Sequence, residues 1–301
     1  MSGRTTLAPA HLLLAIAAMA VWGSNFVVIK VALAHLPPLT LAALRFTAVV
    51  LPLVFVLKRP AASWANLAAY GVLIGAGQFG GLFIAMRADV TPGLASLIMQ
   101  TQVFFTIGLS MWLTGERLKG VQVVALVLAV AGLAVILPHT DGSITTLGLG
   151  LLLFAAFSWS AGNMVSRAAG KVDMLSYVVW SSLFAVPPLF ALAFVFEGPT
   201  AMASGIRNAD AMTWAAVVWQ AVGNAMFGYS VWGWMLARYP AAAVAPLALL
   251  VPVFGMTASA IVLGEPMQDW KLLAAALVMS GLALGRLWPR IAERFVRGEP
   301  V

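Results

Sequence analysis

The sequence predicts an all-α integral membrane protein of ten transmembrane helices, built as two inverted five-helix repeats. Three observations predict it: a composition that only lipid tolerates, ten apolar stretches of spanning length, and a segment of the fourth stretch that recurs in the ninth. Hydrophobic residues make up 62% of the 301 and charged residues 9%, and the mean hydropathy is +0.98, outside the range of soluble domains. In a bilayer the backbone must satisfy its own polar groups, which leaves helices or closed barrels. Long continuous apolar runs select helices over the alternation of barrel strands. The absence of cysteine excludes disulfides, thiolate metal sites and cysteine nucleophiles. A net charge of +7 would suggest nucleic acid in a soluble chain. Here it reads as basic loops held on the cytoplasmic side, with the lipid bilayer rather than nucleic acid as the partner.

The first element imitates a signal peptide, with Arg4, the run HLLLAIA and the small residues Ala18 to Ala20. The apolar stretch nevertheless continues through Trp22 to Leu33, which is long enough to span, so an uncleaved helix over 11–33 is expected. The following breaks leave apolar segments near 39–57, 64–86, 92–114 and 119–137, then 147–166, 174–196, 212–236, 241–263 and 270–288. Each is close to the roughly 20 residues a spanning helix needs. Connections are short except EGPTAMASGIRNADA from Glu197, so no soluble domain fits. With the amino terminus inside, twelve of the 17 Lys and Arg fall on the cytoplasmic side, four (Lys30, Arg87, Arg207, Lys271) outside, and Arg45 within a span. That bias supports the count and the orientation, and places both termini in the cytoplasm of an inner-membrane protein.

The internal repeat appears when ASLIMQTQVFFTIGLSMWLTGERL from Ala95 is laid against APLALLVPVFGMTASAIVLGEPM from Ala245 with a one-residue slip. Gly115-Glu116 then falls on Gly264-Glu265, and Trp22 and Asn25 find weaker echoes in Trp159 and Asn163. Five spans per repeat is an odd number, so the second copy must enter the membrane in the opposite sense. The expected units are 1–140, 141–290 and a basic cytoplasmic tail, 291–301. Oppositely directed halves that exchange shapes give alternating access to a midplane site, which is a transporter's device. Pro246 and Pro252 have no counterpart in the fourth span, where Ser96 and Gln102 stand, so the halves are not interchangeable.

The words WGSNFVVIK on the first helix, LAALRF on the second and GE closing the fourth and ninth, in this order and with this repeat, resemble the EamA type of the drug/metabolite transporter superfamily. The resemblance covers essentially the whole chain. It implies a ten-span inner-membrane exporter of small neutral solutes, working by alternating access through a central cavity between the repeats. Within the family the chain is most similar to exporters of aromatic and other neutral amino acids.

Polar side chains deep in a span are costly unless they face protein or water, so each is a candidate for the cavity. GAGQFGG, Gly75 to Gly81, fits the letters of a dinucleotide-binding turn, but lies between apolar runs with Gln100, not an acid, twenty positions beyond Gly80. It reads instead as a thin-walled helix presenting Gln78 to a substrate path, or as a surface for tight helix packing. Trp22 and Asn25, Trp159 and Asn163, and Gln220 and Asn224 are pairs three or four apart, each sharing a helix face. Aromatic walls and neutral amides suit a zwitterion with an apolar side chain, since amides meet ammonium and carboxylate alike; the same amides often only bridge helices. Gln100 and Gln102 cannot face the same way, and Gln102 is preferred because it shares a face with Met99 and Thr106. Tyr177, Trp180 and Ser181 are weaker candidates for the path. Arg45 reads first as a structural cation and second as the partner of a substrate carboxylate.

No Asp or Glu lies in the middle of a span, and His11, His35 and His139 fall near ends or loops. With no embedded proton carrier, facilitated transport down the solute gradient or weak proton coupling is expected. A multidrug or other metabolite exporter on the same scaffold is the nearest rival, although a cationic-drug pump would want a buried carboxylate. An intramembrane enzyme would need a metal cluster, an acidic pair or an activated nucleophile in the spans, and the sequence offers none. Neither a catalytic residue nor a metal or cofactor is expected. A monomer suffices to enclose the cavity, and Gly71 and Gly75 offer a small-residue face for a dimer.

Overall fold

A computed structural model describes residues 7–114, 120–136, 138, 144–239 and 244–297. Ten helices carry the chain across the membrane: α1 Pro9–Ala32, α2 Pro38–Leu53, α3 64–88, α4 92–114, α5 Gly120–Ile136, α6 Thr146–Ala168, α7 Met174–Phe196, α8 211–238, α9 245–263 and α10 Asp269–Arg297. Among the described residues there is no strand, only an isolated bridge between Val90 and Ile144. The long connection after α7 forms a short helix, Gly198–Asn208. Glu116 and His139 lie outside the described residues.

Helix starts follow from local sequence. Proline opens α1, α2 and α4, where its missing N–H would have no intrahelical acceptor anyway. Ser63, Thr145, Asp173 and Asp210 cap α3, α6, α7 and α8, each accepting from the backbone N–H three residues on. Gly264 closes α9 in the left-handed region at φ 66°.

Contacts between connections establish the alternation of spans. At one end Arg87 donates to the Leu33 and Leu36 carbonyls, and Lys30 to those of Met86 and Arg87. Each cation thus closes the carboxyl end of the other's helix. His35 meets Thr213, and Thr145 donates to Asp89, at the same end. At the opposite end Asn66 donates to the Val165 carbonyl, Tyr177 donates to Asn66, and His11 meets Tyr239. The chain therefore runs up and down ten times. α1 arrives at the end from which α6 departs, which is the inversion of the second half.

Two carboxylates bind the halves together at the first end. Glu197 accepts from the Leu39 and Thr40 amides and the Thr40 hydroxyl, at the amino end of α2. Glu265 does the same for α4, accepting from Gly93 N–H and Thr91 Oγ1, and it also takes Ser259 Oγ and Lys271 Nζ. A carboxylate at a helix amino end satisfies orphan N–H groups and complements the dipole.

The inversion is also written in departures from α geometry. The third span of each half carries a π-helical stretch, Leu73–Gly80 in α3 and Gln220–Phe227 in α8. The fourth span of each half carries a 3₁₀ stretch, Met99–Thr101 in α4 and Ala245–Leu249 at the start of α9. Such turns gather at functional sites because they re-aim side chains and leave backbone groups free. Outside this centre, α5 and α10 pack on each other through Gly132 and Gly281, where an added Cβ would meet Val278 and the Ala125 carbonyl at 2.6 and 2.5 Å.

Candidate functional site

GAGQFGG is the last six residues of the π stretch of α3 with the first residue that follows it. Its glycines face outward from the centre: a Cβ at Gly75 would lie 3.1 Å from Ala185 Cα on α7, one at Gly77 2.7 Å from Ser158 Oγ on α6, and one at Gly81 3.3 Å from the Leu151 carbonyl. They let α3 lie directly against α6 and α7, while Gln78 points inward from the opposite face of the same helix. Gly71 and Gly75, the face suggested for a dimer, are used inside the chain, because Gly71 sits against Ser181 and Phe184 of α7.

Inward of these glycines is a cavity of about 80 Å³, room for several water-sized atoms. α1 contributes Trp22, Asn25, Phe26 and Ile29; α3 contributes Gln78, Phe79 and Leu82; α4 contributes Ser96, Met99 and Gln100. Trp159 of α6, Asn224 and Tyr229 of α8, and Val251 of α9 complete it. Five of the eight proposed binding residues, Trp22, Asn25, Gln78, Trp159 and Asn224, thus share one cavity drawn from both halves.

The π turn explains the α8 wall. Asn224, inside the π stretch, and Tyr229, two residues beyond it, are five apart, which an unbroken α-helix would turn about 140° from each other; the wider winding over Asn224–Phe227 brings them nearer one face. The stretch also leaves the Asn224 carbonyl to accept from Trp22 Nε1 at 3.1 Å. The Trp22 ring is further held by Tyr229 and Trp232, with centroids 5.7 and 5.6 Å away.

Three proposed residues lie elsewhere. Gln102 and Asn163 bond each other, Asn163 Nδ2 donating to Gln102 Oε1 at 3.3 Å, and Ser160 Oγ donates to the Gln102 carbonyl. This clamp joins α4 to α6 off the cavity wall, and Gln100 takes the place expected of Gln102. The reason is the 3₁₀ stretch at Met99–Thr101, whose tighter winding of three residues per turn shifts the register on which α periodicity relied. Gln220 is fully buried one turn from Asn224, with neither amide atom partnered, and does not line the cavity. Of the weaker candidates, Tyr177 and Trp180 bond Asn66 and the Leu57 carbonyl.

The cavity's amides are not used up by the protein. Asn25 Oδ1 and Gln78 Oε1 are buried without a partner, at a cost of about 1–3 kcal/mol each. Arg45 lies behind Asn224. Its Nη2 donates to Asn224 Oδ1 at 3.0 Å, and its guanidinium carbon stands 3.6 Å from the Phe79 ring centre and 4.9 Å from that of Phe46. Beside it is a void of about 10 Å³, lined by Arg45, Ser181, Phe79 and Tyr229 among others. Phe79 and Tyr229 also line the central cavity, so the two spaces adjoin. Sequence reasoning missed Phe26, Phe79, Gln100 and Tyr229. The available signal was the couple Gly77-Gln78 and Gly223-Asn224, one in each half.

Comparison with known proteins agrees with this architecture. The EamA-like transporter family matches residues 10–137 and again 146–286, one match in each half. A "probable amino-acid metabolite efflux pump" of Escherichia coli (strain K12) is 39% identical over 275 residues, covering 89% of this chain and 92% of that protein. A protein of the same description from Salmonella typhimurium matches equally. The "uncharacterized transporter YoaV" of Bacillus subtilis is 26% identical over 278 residues, 87% of this chain and 91% of that one. A solved crystal structure 20% identical in sequence superposes with a TM-score of 0.63 over 94% of this chain and 99% of its own, a likeness of fold. The chain belongs to the EamA-like transporter family.

Proposed function

We propose that this EamA-like transporter exports neutral amino acids, aromatic ones among them, across the inner membrane by facilitated alternating access. The observation that carries the reading is a central cavity, assembled from both halves, in which aromatic walls surround amide oxygens with no protein partner among the described residues. An ammonium group supplies the N–H donors that Asn25 Oδ1 and Gln78 Oε1 lack. Trp22, Phe26, Trp159 and Tyr229 receive the apolar side chain. Gln100 joins this binding set, while Gln102, Asn163 and Gln220 serve helix packing. The name of the 39% identical relatives supports the same cargo class. At about 80 Å³ the cavity must widen around a whole amino acid, which exchange of the two halves provides.

In this reading the halves are 1–140 and 141–290, the tail 291–301 is basic and cytoplasmic, and both termini face the cytoplasm. The end closed by Glu197 and Glu265 is then the outer one. No carboxylate stands in the middle of a span, which supports flux down the solute gradient without a stoichiometric proton. The protein is a carrier rather than an enzyme, and one chain encloses the whole site. The test is uptake of labelled phenylalanine, tryptophan, threonine and methionine into proteoliposomes, with and without a pH gradient. Saturable, gradient-independent uptake that Gln78→Ala and Asn25→Ala reduce is expected; folded protein that moves no amino acid would overturn the reading in favour of drugs or other metabolites.

A further inference from the structure

We infer that Arg45 and Asn224 form a carboxylate-recognition subsite opening off the central cavity, so that the chain binds cargo bearing a free carboxylate and rejects the matching amides. The inference rests on the transport cavity proposed above and names the chemistry it selects.

Arg45 is the eighth residue of the sixteen in α2 and is 2% exposed. Among the described residues no carboxylate pairs with it; the ion pairs there are His35 with Asp210 and Lys271 with Glu265. Of its five N–H donors, those on Nε and Nη1 are buried without an acceptor, and Ser181 Oγ on the shared void is likewise unpartnered. The chain's other organised cations look different. Arg87 is held by two helix-end carbonyls and Lys271 by a carboxylate and the Pro266 carbonyl. A guanidinium does not lose its charge in a protein. One kept in the interior with open donors and no counter-ion is arranged for an anion that arrives from outside.

The route for that anion is drawn by Asn224. Arginine only donates, so Asn224 must turn its oxygen to Nη2, and the same side chain lines the central cavity. Its neutral oxygen occupies the place a cargo carboxylate oxygen would take. A carboxylate forms the stronger, charge-assisted bond and displaces it. The void of about 10 Å³ beside Arg45 has room for one oxygen-sized atom. Cargo ammonium on Asn25 and Gln78 and cargo carboxylate on Arg45 would together read a zwitterion from both ends.

The experiment measures protection of the full-length protein from thermal unfolding in detergent by L-phenylalanine, L-phenylalaninamide, 3-phenylpropionate and sodium bromide, for wild type, Arg45→Met and Arg45→Lys. The two carboxylates are expected to bind wild type at least about tenfold more tightly than the amide, Arg45→Met to lose that preference, and Arg45→Lys to keep part of it. The wild-type ranking needs no variant, so misfolding of Arg45→Met leaves the test intact. Equal binding of phenylalanine and its amide to wild type would overturn the subsite, as would a folded Arg45→Met that still prefers carboxylates. Arg45-dependent protection by bromide that carboxylates do not compete with would also overturn it, assigning Arg45 to an inorganic anion. If 3-phenylpropionate protects through Arg45 while no amino acid is transported, the subsite stands and the amino-acid reading falls. If amino acids are transported without any carboxylate preference, the amino-acid reading stands and the subsite falls.

Discussion

Glu265→Ala is expected to be among the most destabilising single substitutions in this chain, and the buried cation it exposes is the reason. Glu265 and Lys271 have side chains 4% and 0% exposed, with Nζ 3.2 Å from the carboxylate. The other carboxylate oxygen accepts from Gly93 N–H at 2.9 Å, an orphan donor at the start of α4. Truncation strands the Lys271 charge with the Pro266 carbonyl and the Trp270 ring, 5.5 Å away, and no carboxylate, a loss of about 3–5 kcal/mol for an unpaired buried ion. The missing helix cap adds about 1 kcal/mol. For a chain of this size each kcal/mol moves the midpoint by about 2 °C or somewhat more, so a fall of roughly 10 °C is expected in thermal unfolding in detergent. Adding Lys271→Met removes the stranded charge and should restore at least half of that loss, leaving the costs of the cap and of the Thr91 and Ser259 bonds. A double variant less stable than Glu265→Ala would refute the reasoning, because it would mean that Lys271 stabilises independently of its carboxylate.

Other expectations follow from the site. Gly228→Ala would place a Cβ 2.9 Å from Trp22 Cε2 and 3.0 Å from Cδ1, forcing the indole off the Asn224 carbonyl at a cost of about 1–3 kcal/mol; phenylalanine uptake should fall by about an order of magnitude, whereas Gly223→Ala, whose nearest neighbours stand at 3.3 Å or more, should change it little. Asn224→Asp supplies Arg45 with a permanent carboxylate, so the melting point should rise, by about 1 kcal/mol for the change from a neutral to a charged bond, while transport is lost; a variant that transports normally would count against the site. Asp210, outside the spans, accepts from the Thr213 hydroxyl and N–H, both at 2.7 Å, and the hydroxyl bond first, then the N–H, hold its carboxyl below the ordinary value of 3.8. A depressed folded pKa contributes stability above the unfolded value and loses it as pH falls through the folded one. Unfolding midpoints measured from pH 7 down to about pH 3 should therefore drop less steeply on the acid side in Asp210→Asn than in wild type.

Much of the fold was legible in the chain of residues alone. Lipid as solvent turns hydropathy into span positions, so the ten segments recur as ten helices with ends displaced by a few residues, except that α10 runs on to Arg297, nine residues beyond the expected end. The recurrence around Gly115-Glu116 and Gly264-Glu265 with an odd span count required the inversion, which appears as matched π and 3₁₀ stretches. Glu265 follows the glycine that closes α9, and its carboxylate also reaches across to α4.

What the sequence by itself determined was the solvent, the number and sense of the helices, and the short inventory of polar groups inside them, because these depend on composition, length and parity. The tertiary structure alone decided which of those groups meet. Face assignments drawn from 3.6-residue periodicity hold for Trp22 and Asn25 and fail where the winding changes: a 3₁₀ stretch puts Gln100 on the cavity wall and Gln102 on Asn163, and a π stretch adds Tyr229 to Asn224. No local signal foretold that Arg45 would stand behind Asn224, 179 residues away in sequence. That meeting depends on how closely glycine lets α3 approach α6 and α7 and on how the two halves dock, which are properties of packing rather than of any one helix.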